Sequence, residues 1–342
     1  MSSSARTAVD RLKRRRTLMA LGIAAPLSRL VGTPCSHAEV ASPAWPTRPV
    51  SVVVPYPPGG ATDISARIIA RQMEKRLGQP FVLLNRAGAG GNIGAQSAVG
   101  VAPDGHTLLF GTQGLLTVNP YLYSKLSYDI RRDFVTVGLT YDIAHVIVVN
   151  PSVPARTLGQ FVELAKREPG KLTYGSSGVG GGTHLFAEYF QEQAGIKLLH
   201  IPFQGSTPAK ADLMGGQIDA MFDAISSVAP QIKTGAVRAL AVTSATRHPQ
   251  LPDVPTISEI LLPGFETTTW GAMLVPSATP APLVTKIAGD LRSVLADGET
   301  RELLEATGTS PLPASLDEAR RKIDAEDRRW KEVIIRGKLR VE

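Results

Sequence analysis

The chain has 342 residues, 43% of them hydrophobic, and a formal charge of +7, which is enough for a sizeable core and comfortable for two domains. Residues 1–38 hold seven of the 37 basic residues and one of the 30 acidic ones, so the rest is close to neutral and no nucleic-acid partner is implied. The only cysteine, Cys35, excludes a disulfide framework, and no later apolar run reaches the ~18 residues of a membrane-spanning helix.

The first 38 residues read as an export signal peptide. A basic start with Arg14, Arg15 and Arg16 is followed by an apolar stretch from Leu18 to Leu27 and by Ser36-His37-Ala38, a small-x-small cleavage site that leaves Glu39 as the first mature residue. Arg15-Arg16-Thr17-Leu18-Met19 also resembles a twin-arginine signal, so both export routes stay open. Gly32-Thr33-Pro34 before Cys35 is a poor lipoprotein signal, and cleavage after Ala38 removes that thiol.

Val50, Val52, Val53 and Val54 suit a buried strand of a parallel sheet. Pro55-Tyr56-Pro57-Pro58-Gly59-Gly60 cannot continue a ladder, since the prolines have no amide hydrogen, and reads as a turn. A helix opens at Thr62 and Asp63, with Ile64, Ile68, Met73 and Leu77 expected on its buried face and Arg67, Arg71, Glu74 and Lys75 on the other. Gly78-Gln79-Pro80 stops it before a second strand, Phe81 to Leu84, giving βαβ. Asn85 to Gly94 is a second glycine turn, including Gly91, before a short helix to Ala102. Leu108 to Phe110 is the third strand, and the polar residues Thr112 and Gln113 stand at its end.

Val135 to Val149 reads as a long strand crossing into a second lobe. After the helix Thr157 to Glu168 the opening pattern returns: a strand at Leu172 to Tyr174, a turn from Gly175 to Gly182, a helix from Thr183 through Ala194 closed by Gly195, and a strand from Ile196 to Ile201. Pro202-Phe203-Gln204-Gly205-Ser206 leads into a helix from Thr207 to Met214. The strand Ala220 to Phe222 ends at Asp223, a helix follows near Val228 to Thr234, and Ala239 to Val242 is the next strand. Trp270 to Val275 crosses back. The remainder is helical with breaks at Gly308 and at Pro311 to Pro313, and the charged run from Leu316 to Ile335 reads as a solvated helix face. The expected fold is α/β and two-lobed: each lobe a mixed sheet flanked by helices, residues 45–145 plus 270–342 in lobe 1, residues 146–269 in lobe 2, the ligand cleft between them.

A strand, a glycine turn and a helix N-terminus together present unpaired amide hydrogens and the positive end of a helix dipole, which suits an anion. The sequence offers two such sites. The first is Tyr56 to Asp63, with Gly59, Gly60 and Thr62. The second is Ser176, Ser177, Gly178, Thr183 and His184. Neither contains Lys or Arg, so a carboxylate there is met by amides, hydroxyls and water. Asp63 and Asp223 either cap their own elements or accept a hydrogen bond from the ligand. Other chemistries fit poorly. Gly88-x-Gly90 lacks the third glycine of a dinucleotide fingerprint, because position 93 is Ile. The Gly175 to Thr183 loop lacks the Gly-Lys-Ser/Thr of a phosphate loop. Ser176 or Ser177 with His184 and Asp223 has the composition of a nucleophilic triad, but the hydrolase pattern Gly-x-Ser-x-Gly fails at Val179. The six histidines show no paired metal spacing, and no cofactor is expected.

Val53-Val54-Pro55-Tyr56-Pro57-Pro58-Gly59-Gly60-x-x-Asp63, Asn85-Arg86-x-Gly88-Ala89-Gly90-Gly91-x-Ile93-Gly94, His200-Ile201-Pro202-Phe203-Gln204-Gly205 and Leu251-Pro252-Asp253-Val254-Pro255-Thr256 resemble the Bug family, the substrate-binding proteins of tripartite tricarboxylate transporters. The likeness covers essentially the whole mature chain. It implies a two-lobed periplasmic-binding-protein-like fold that closes on a small carboxylate or amino-acid ligand and presents it to membrane permease subunits; the chain is read as a monomer and not as an enzyme. It also implies that the ligand carboxylate is held by the loops Tyr56 to Asp63 and Ser176 to Thr183, partly through ordered water. Gln204 stands where a Lys is frequent in the family and His184 follows Thr183; both are candidates to line the far end of the ligand. Two alternatives accompany this reading: a ligand sensor for a membrane signalling partner, and a secreted serine hydrolase using Ser177 and His184.

Overall fold

The valine run is β1 (Val50–Val54), buried because both of its faces are covered. Val52 and Val54 pack on one side with Ile69 and Met73, while Val53 packs on the other with Leu109. The structure, a computed structural model, describes residues 44–341; the export signal, its cleavage site and Cys35 lie outside the described residues. From β1 the chain enters α1 (Ala61–Leu77), returns in β2 (Phe81–Asn85), makes the short α2 (Asn92–Ser97) and comes back in β3 (Thr107–Thr112). β2 and β3 both pair with β1 in parallel. Met73 and Ile69 have no exposed surface, and burial of each such side chain is worth roughly 1.5–3 kcal/mol. The core face of α1 is Ala66, Ile69, Ala70 and Met73, with Ile68 and Leu77 at its edge. Ile64, expected to be buried, is 37% exposed: the sheet takes small alanines at close approach, and the larger isoleucine is turned away.

A π-helical turn at Gly114–Val118, α3 (Asn119–Leu122) and α4 (Ile130–Asp133) lead to β4 (Phe134–Val149). This 16-residue strand is shared by two half-sheets. Phe134 to Ala144 pairs with β9, whereas His145 to Val149 pairs with β7 and β8. The second half-sheet is built by α5 (Leu158–Arg167), β5 (Thr173–Ser176), α6 (Gly182–Ala194), β6 (Leu199–Pro202), α7 (Ser206–Met214), β7 (Ala220–Ala224), α8 (Ile225–Lys233) and β8 (Arg238–Val242). Here β5 is parallel to both β6 and β7. After α9 (Ile257–Ile260) the chain returns in β9 (Thr268–Pro276), antiparallel to β3 and β4, and ends with α10 (Ala281–Ala296), α11 (Gly298–Ala306), β10 (Ser310–Pro311) and α12 (Leu316–Arg336). The strand order is β2-β1-β3-β9-β4-β7-β5-β6, with β8 and β10 on β4. It is a mixed α/β sheet with flanking helices, as expected.

The repeated unit is visible in the backbone. α1 and α6 each follow a parallel strand and a loop, and each is stopped by a glycine in the left-handed conformation, Gly78 at φ 71° and Gly195 at φ 62°. Two elements differ from the sequence reading. β6 begins at Leu199, not Ile196, because Gln191 accepts the amides of Ile196 and Leu198 and holds that stretch against α6. More importantly, α12 is not simply a solvated charged helix. One stripe of it buries Ala319, Glu326, Trp330, Val333 and Ile334, and Trp330 sits 5.6 Å from Phe186 of α6.

Candidate functional site

The first loop is fixed from beneath by Asp63. Its carboxylate accepts the Gly59 amide (3.0 Å), the Arg67 guanidinium (2.8 and 3.1 Å) and Asn85 Nδ2 (2.9 Å), and the same Asn85 nitrogen also donates to the Tyr56 carbonyl at 3.0 Å. Burial opposes ionisation of Asp63, but the hydrogen bonds from Arg67, Gly59 and Asn85 outweigh it and hold the pKa below its ordinary value. Asp63 therefore ties the loop to the end of β2 and is not a group free to receive ligand. Above it, Tyr56 and Thr112 hydroxyls meet at 2.7 Å and Thr62 meets Tyr141 at 2.8 Å. Burial raises the pKa of Tyr56, which keeps the phenol protonated and able to donate.

The second loop is held by hydroxyls and imidazoles instead. Thr183 Oγ1 accepts the Ser177 amide at 2.9 Å and lies 3.0 Å from Ser177 Oγ. His184 Nδ1 accepts the Gly180 amide at 3.0 Å. Ser176 is fully buried, with its hydroxyl 2.6 Å from His200 Nε2 and 3.2 Å from the Gly178 amide. The two imidazoles stack at 4.0 Å, Tyr174 stacks on His200 at 4.8 Å, and Glu188 lies 3.9 Å from His184 Nε2. Burial pushes both histidines down to about 4, and for His200 the neighbouring His184 adds to it.

A cavity of about 340 Å3 lies where these loops face each other, near the lower end of the ~300–1,000 Å3 usual for small-molecule sites. Of the residues singled out in sequence, Tyr56, Thr62, Thr112 and Gln113 line it. The second loop contributes Val179 to Gly182, the stretch just beyond Gly178, and β9 contributes Thr269. The other sequence-selected residues stand elsewhere. Gly59, Gly60 and Gln204 are exposed. A side chain added at Gly91 would meet Tyr56 and Leu115 at 3.3 Å, so Gly91 backs the wall. Ser176, Ser177, Gly178, Thr183 and His184 shape the second loop from below. Phe203 is half-buried, its ring 3.3 Å from where a Gly175 side chain would begin. Asp223 is buried at the end of β7, where Oδ1 accepts the Ala224 amide and Oδ2 has no partner; burial raises its pKa. A Ser177–His184 nucleophile pair is not formed, because each of the two is engaged with its own loop.

Sequence reasoning missed Asn119, Leu122, Tyr123, Thr269 and Val341, all on the cavity wall. Asn119 opens α3 just before Pro120, and Val341 reaches the site through an isolated bridge to Tyr123. It also missed Glu326, 6% exposed, which accepts Gln113 Nε2 (2.8 Å) and Trp330 Nε1 (2.6 Å) and so ties the wall to α12. A larger groove of about 790 Å3, with Lys125 and Arg340, adjoins at Tyr123 and Val341. Among the described residues no group of three His, Cys, Asp or Glu side chains is placed to hold a metal.

The model of the tripartite tricarboxylate transporter family receptor matches residues 65–339. The chain belongs to that family. The receptor is 39% identical over 86% of its length to a protein encoded in the tcbD-tcbE intergenic region of Pseudomonas sp., covering 88% of it. It is 35% identical over 87% of its length to BugT of Bordetella pertussis, covering 91% of it. Among solved structures it is 34% identical to the periplasmic binding protein BugD, with a TM-score of 0.69, over 87% of this chain and 100% of that one. Rpa4515 of R. palustris with adipate is 34% identical with a TM-score of 0.74 at the same coverages. MatC from Rhodopseudomonas palustris with bound malate is 32% identical with a TM-score of 0.69, over 85% of this chain and 100% of that one. The receptor is thus a periplasmic solute-binding protein of the TctC and Bug type, and among its described residues no helix is long and apolar enough to cross a membrane.

Proposed function

We propose that the receptor captures a small carboxylated solute in the cavity between its two half-sheets and delivers it, chemically unchanged, to the permease subunits of a tripartite tricarboxylate-type transporter. The observation that carries this reading is the make-up of the wall. Gly180 to Gly182 at the start of α6 and the hydroxyl-bearing residues Tyr56, Thr62, Thr112 and Thr269 line one space, a residue set that suits a carboxylate. Charge-assisted hydrogen bonds of ~1.5–3 kcal/mol each, with up to ~2 kcal/mol from a partly buried helix terminus, reach the ~8 kcal/mol of micromolar binding. Two relatives of the same fold were solved with adipate and with malate, which are carboxylates.

In this reading residues 45–145 plus 270–342 form one lobe and residues 146–269 the other, with the crossing strands β4 and β9 as hinge, closing on the ligand. The mature protein begins at Glu39 in the periplasm and acts as a monomer. Native mass spectrometry of protein purified from the periplasm, with a thermal-shift screen of carboxylates and amino acids, tests it. A co-purifying or stabilising carboxylate is expected; stabilisation by uncharged solutes alone, or turnover of an ester, would overturn it.

A further inference from the structure

The cavity and the larger groove beside it meet near the last described residues of the chain. Tyr123 and Val341 line both spaces. The segment that carries Tyr123 runs along both as well, with Asn119 and Leu122 lining the cavity and Ser124 to Ser127 lining the groove. The groove is the roomier of the two, about 790 Å3 against about 340 Å3. It also holds Lys125 and Arg340, whereas no Lys or Arg lines the cavity among the described residues. Its lining comes from residues 89–127 and 340–341, so all of it lies in one of the two proposed lobes.

Lys338 to Val341 reach this boundary as a strap from the end of α12. The helix gives way at Gly337, and Lys338 takes a φ of 51°, a left-handed conformation that residues with a side chain seldom adopt. The Leu339 amide bonds back to the Ile334 carbonyl at 3.0 Å and anchors the near end. The far end is held lightly. Val341 donates its amide to the Leu122 carbonyl at 2.9 Å and makes an isolated parallel bridge to Tyr123, outside any strand. Both Val341 and Tyr123 are half-buried and sit at the edge of the cluster that includes Leu122 and Trp330. Releasing the far end therefore breaks one backbone hydrogen bond and uncovers a half-buried valine, a local opening far below the free energy of the core.

Resting on the proposed capture of a carboxylate, we infer that Lys338 to Val341 gate a side entrance: an anionic solute collects in the groove at Lys125 and Arg340 and passes Val341 and Tyr123 into the cavity while the half-sheets stay together. Entry and exit then share one path, so blocking it slows both by the same factor and leaves the equilibrium where it was. The double variant Tyr123→Cys/Val341→Cys tests this in protein expressed from Glu39, which lacks Cys35, the only native cysteine. Bridge partners lie ~4.8 Å apart, inside the roughly 4.4–6.8 Å that a disulfide spans between Cα atoms. Surface plasmon resonance with malate, adipate and citrate is expected to show association and dissociation both slower by at least ~10-fold in the oxidised form than in the reduced form, with Kd the same within about threefold. Equal rates in the two forms, or a change confined to one of the two rates, overturn the gate. Lys125→Glu, at an exposed position outside the cavity lining, gives a second reading that does not depend on the cysteine pair: association should slow by at least about threefold at low salt with dissociation unchanged, and unchanged association overturns the groove as the route. If malate, adipate and citrate all fail to bind the unaltered protein, carboxylate capture falls and the entrance with it. If they bind while oxidised and reduced rates agree, capture stands and only the entrance falls.

Discussion

The loops before α1 and α6 occupy equivalent places in the two half-sheets yet are held by opposite means. The first contains three prolines and is clamped by an ionised carboxylate with a guanidinium, an amide side chain and a backbone amide around it. The second has no proline between Ser176 and Gly182, holds Gly178 and Gly180 at φ 137° and 74°, and rests on neutral hydroxyls and two stacked imidazoles. Proline and a buried carboxylate paired with a half-exposed guanidinium leave the first little freedom, whereas glycine leaves the second a large conformational entropy that only its hydrogen bonds restrain. One side of the site is thus a fixed wall and the other a tunable one.

The largest effect should come from forcing the tunable side. Gly180→Val places a β-branched residue at positive φ and drives its Cβ into Leu122, so ligand affinity should fall by at least ~100-fold, about 2.7 kcal/mol. Gly60→Val, at a position where an added Cβ would meet only the Pro57 carbonyl oxygen at 4.0 Å, should change affinity by less than about threefold, about 0.65 kcal/mol. Calorimetry on both variants breaks the comparison if they behave alike.

Acid should also act on the second loop before the first. The folded pKa values of His184 and His200, about 4, lie below the ordinary 6.5, so the unfolded chain binds more protons between those values and their contribution is complete above about pH 6.5 and declines toward about pH 4. Asp63 has the same sense in a lower window: its lowered pKa contributes in full above its ordinary value of 3.8 and is lost only as the pH falls below it. Hydrogen exchange at pH 7.5 and pH 5, corrected for intrinsic rates, should show protection falling at the Gly178 and Gly180 amides and persisting at Gly59. Equal loss at both loops would contradict the assignment.

Breaking the fixed side is the next test. Asp63→Asn removes the charge that receives Arg67, whose side chain is 53% exposed, so the pair is discounted for solvent and the cost should be ~1–2 kcal/mol of stability, read by urea unfolding. The smallest effect is Thr183→Ala, which removes the acceptor of the Ser177 amide and should weaken binding by about one hydrogen bond, ~0.5–1.5 kcal/mol. A loss as large as that of Gly180→Val would mean that Thr183 touches the ligand directly.

The contrast also explains what the sequence can and cannot disclose. Strands and loops were legible because valine runs, Pro-Pro-Gly-Gly and Gly-Val-Gly-Gly-Gly are local punctuation with one physical meaning each. Which atoms of a loop face the cavity was not legible, because Ser176, Ser177, Thr183 and Asp63 are polar whether they bind ligand or bind their own backbone. Leu122, Thr269 and Val341 meet only through the crossing of β4 and β9 and the path of the chain after α12, and no spacing in the sequence records that. The buried stripe of α12 was readable in principle: Trp330, Val333 and Ile334 recur at helical spacing, but they are outnumbered by charges, and Glu326 hides among them.

Glu326 joins two otherwise separate things, the Gln113 amide on the cavity wall and the Trp330 indole in the apolar core. An indole hydrogen-bonded to a carboxylate is a built-in optical gauge, since its emission energy follows the electric field along the ring. A solute that draws on Gln113 is expected to change the charge distribution felt by Trp330. Solute binding is then expected to shift the Trp330 share of the native emission, which a Trp330→Phe variant separates from that of Trp45 and Trp270, with no dye attached and no partner present.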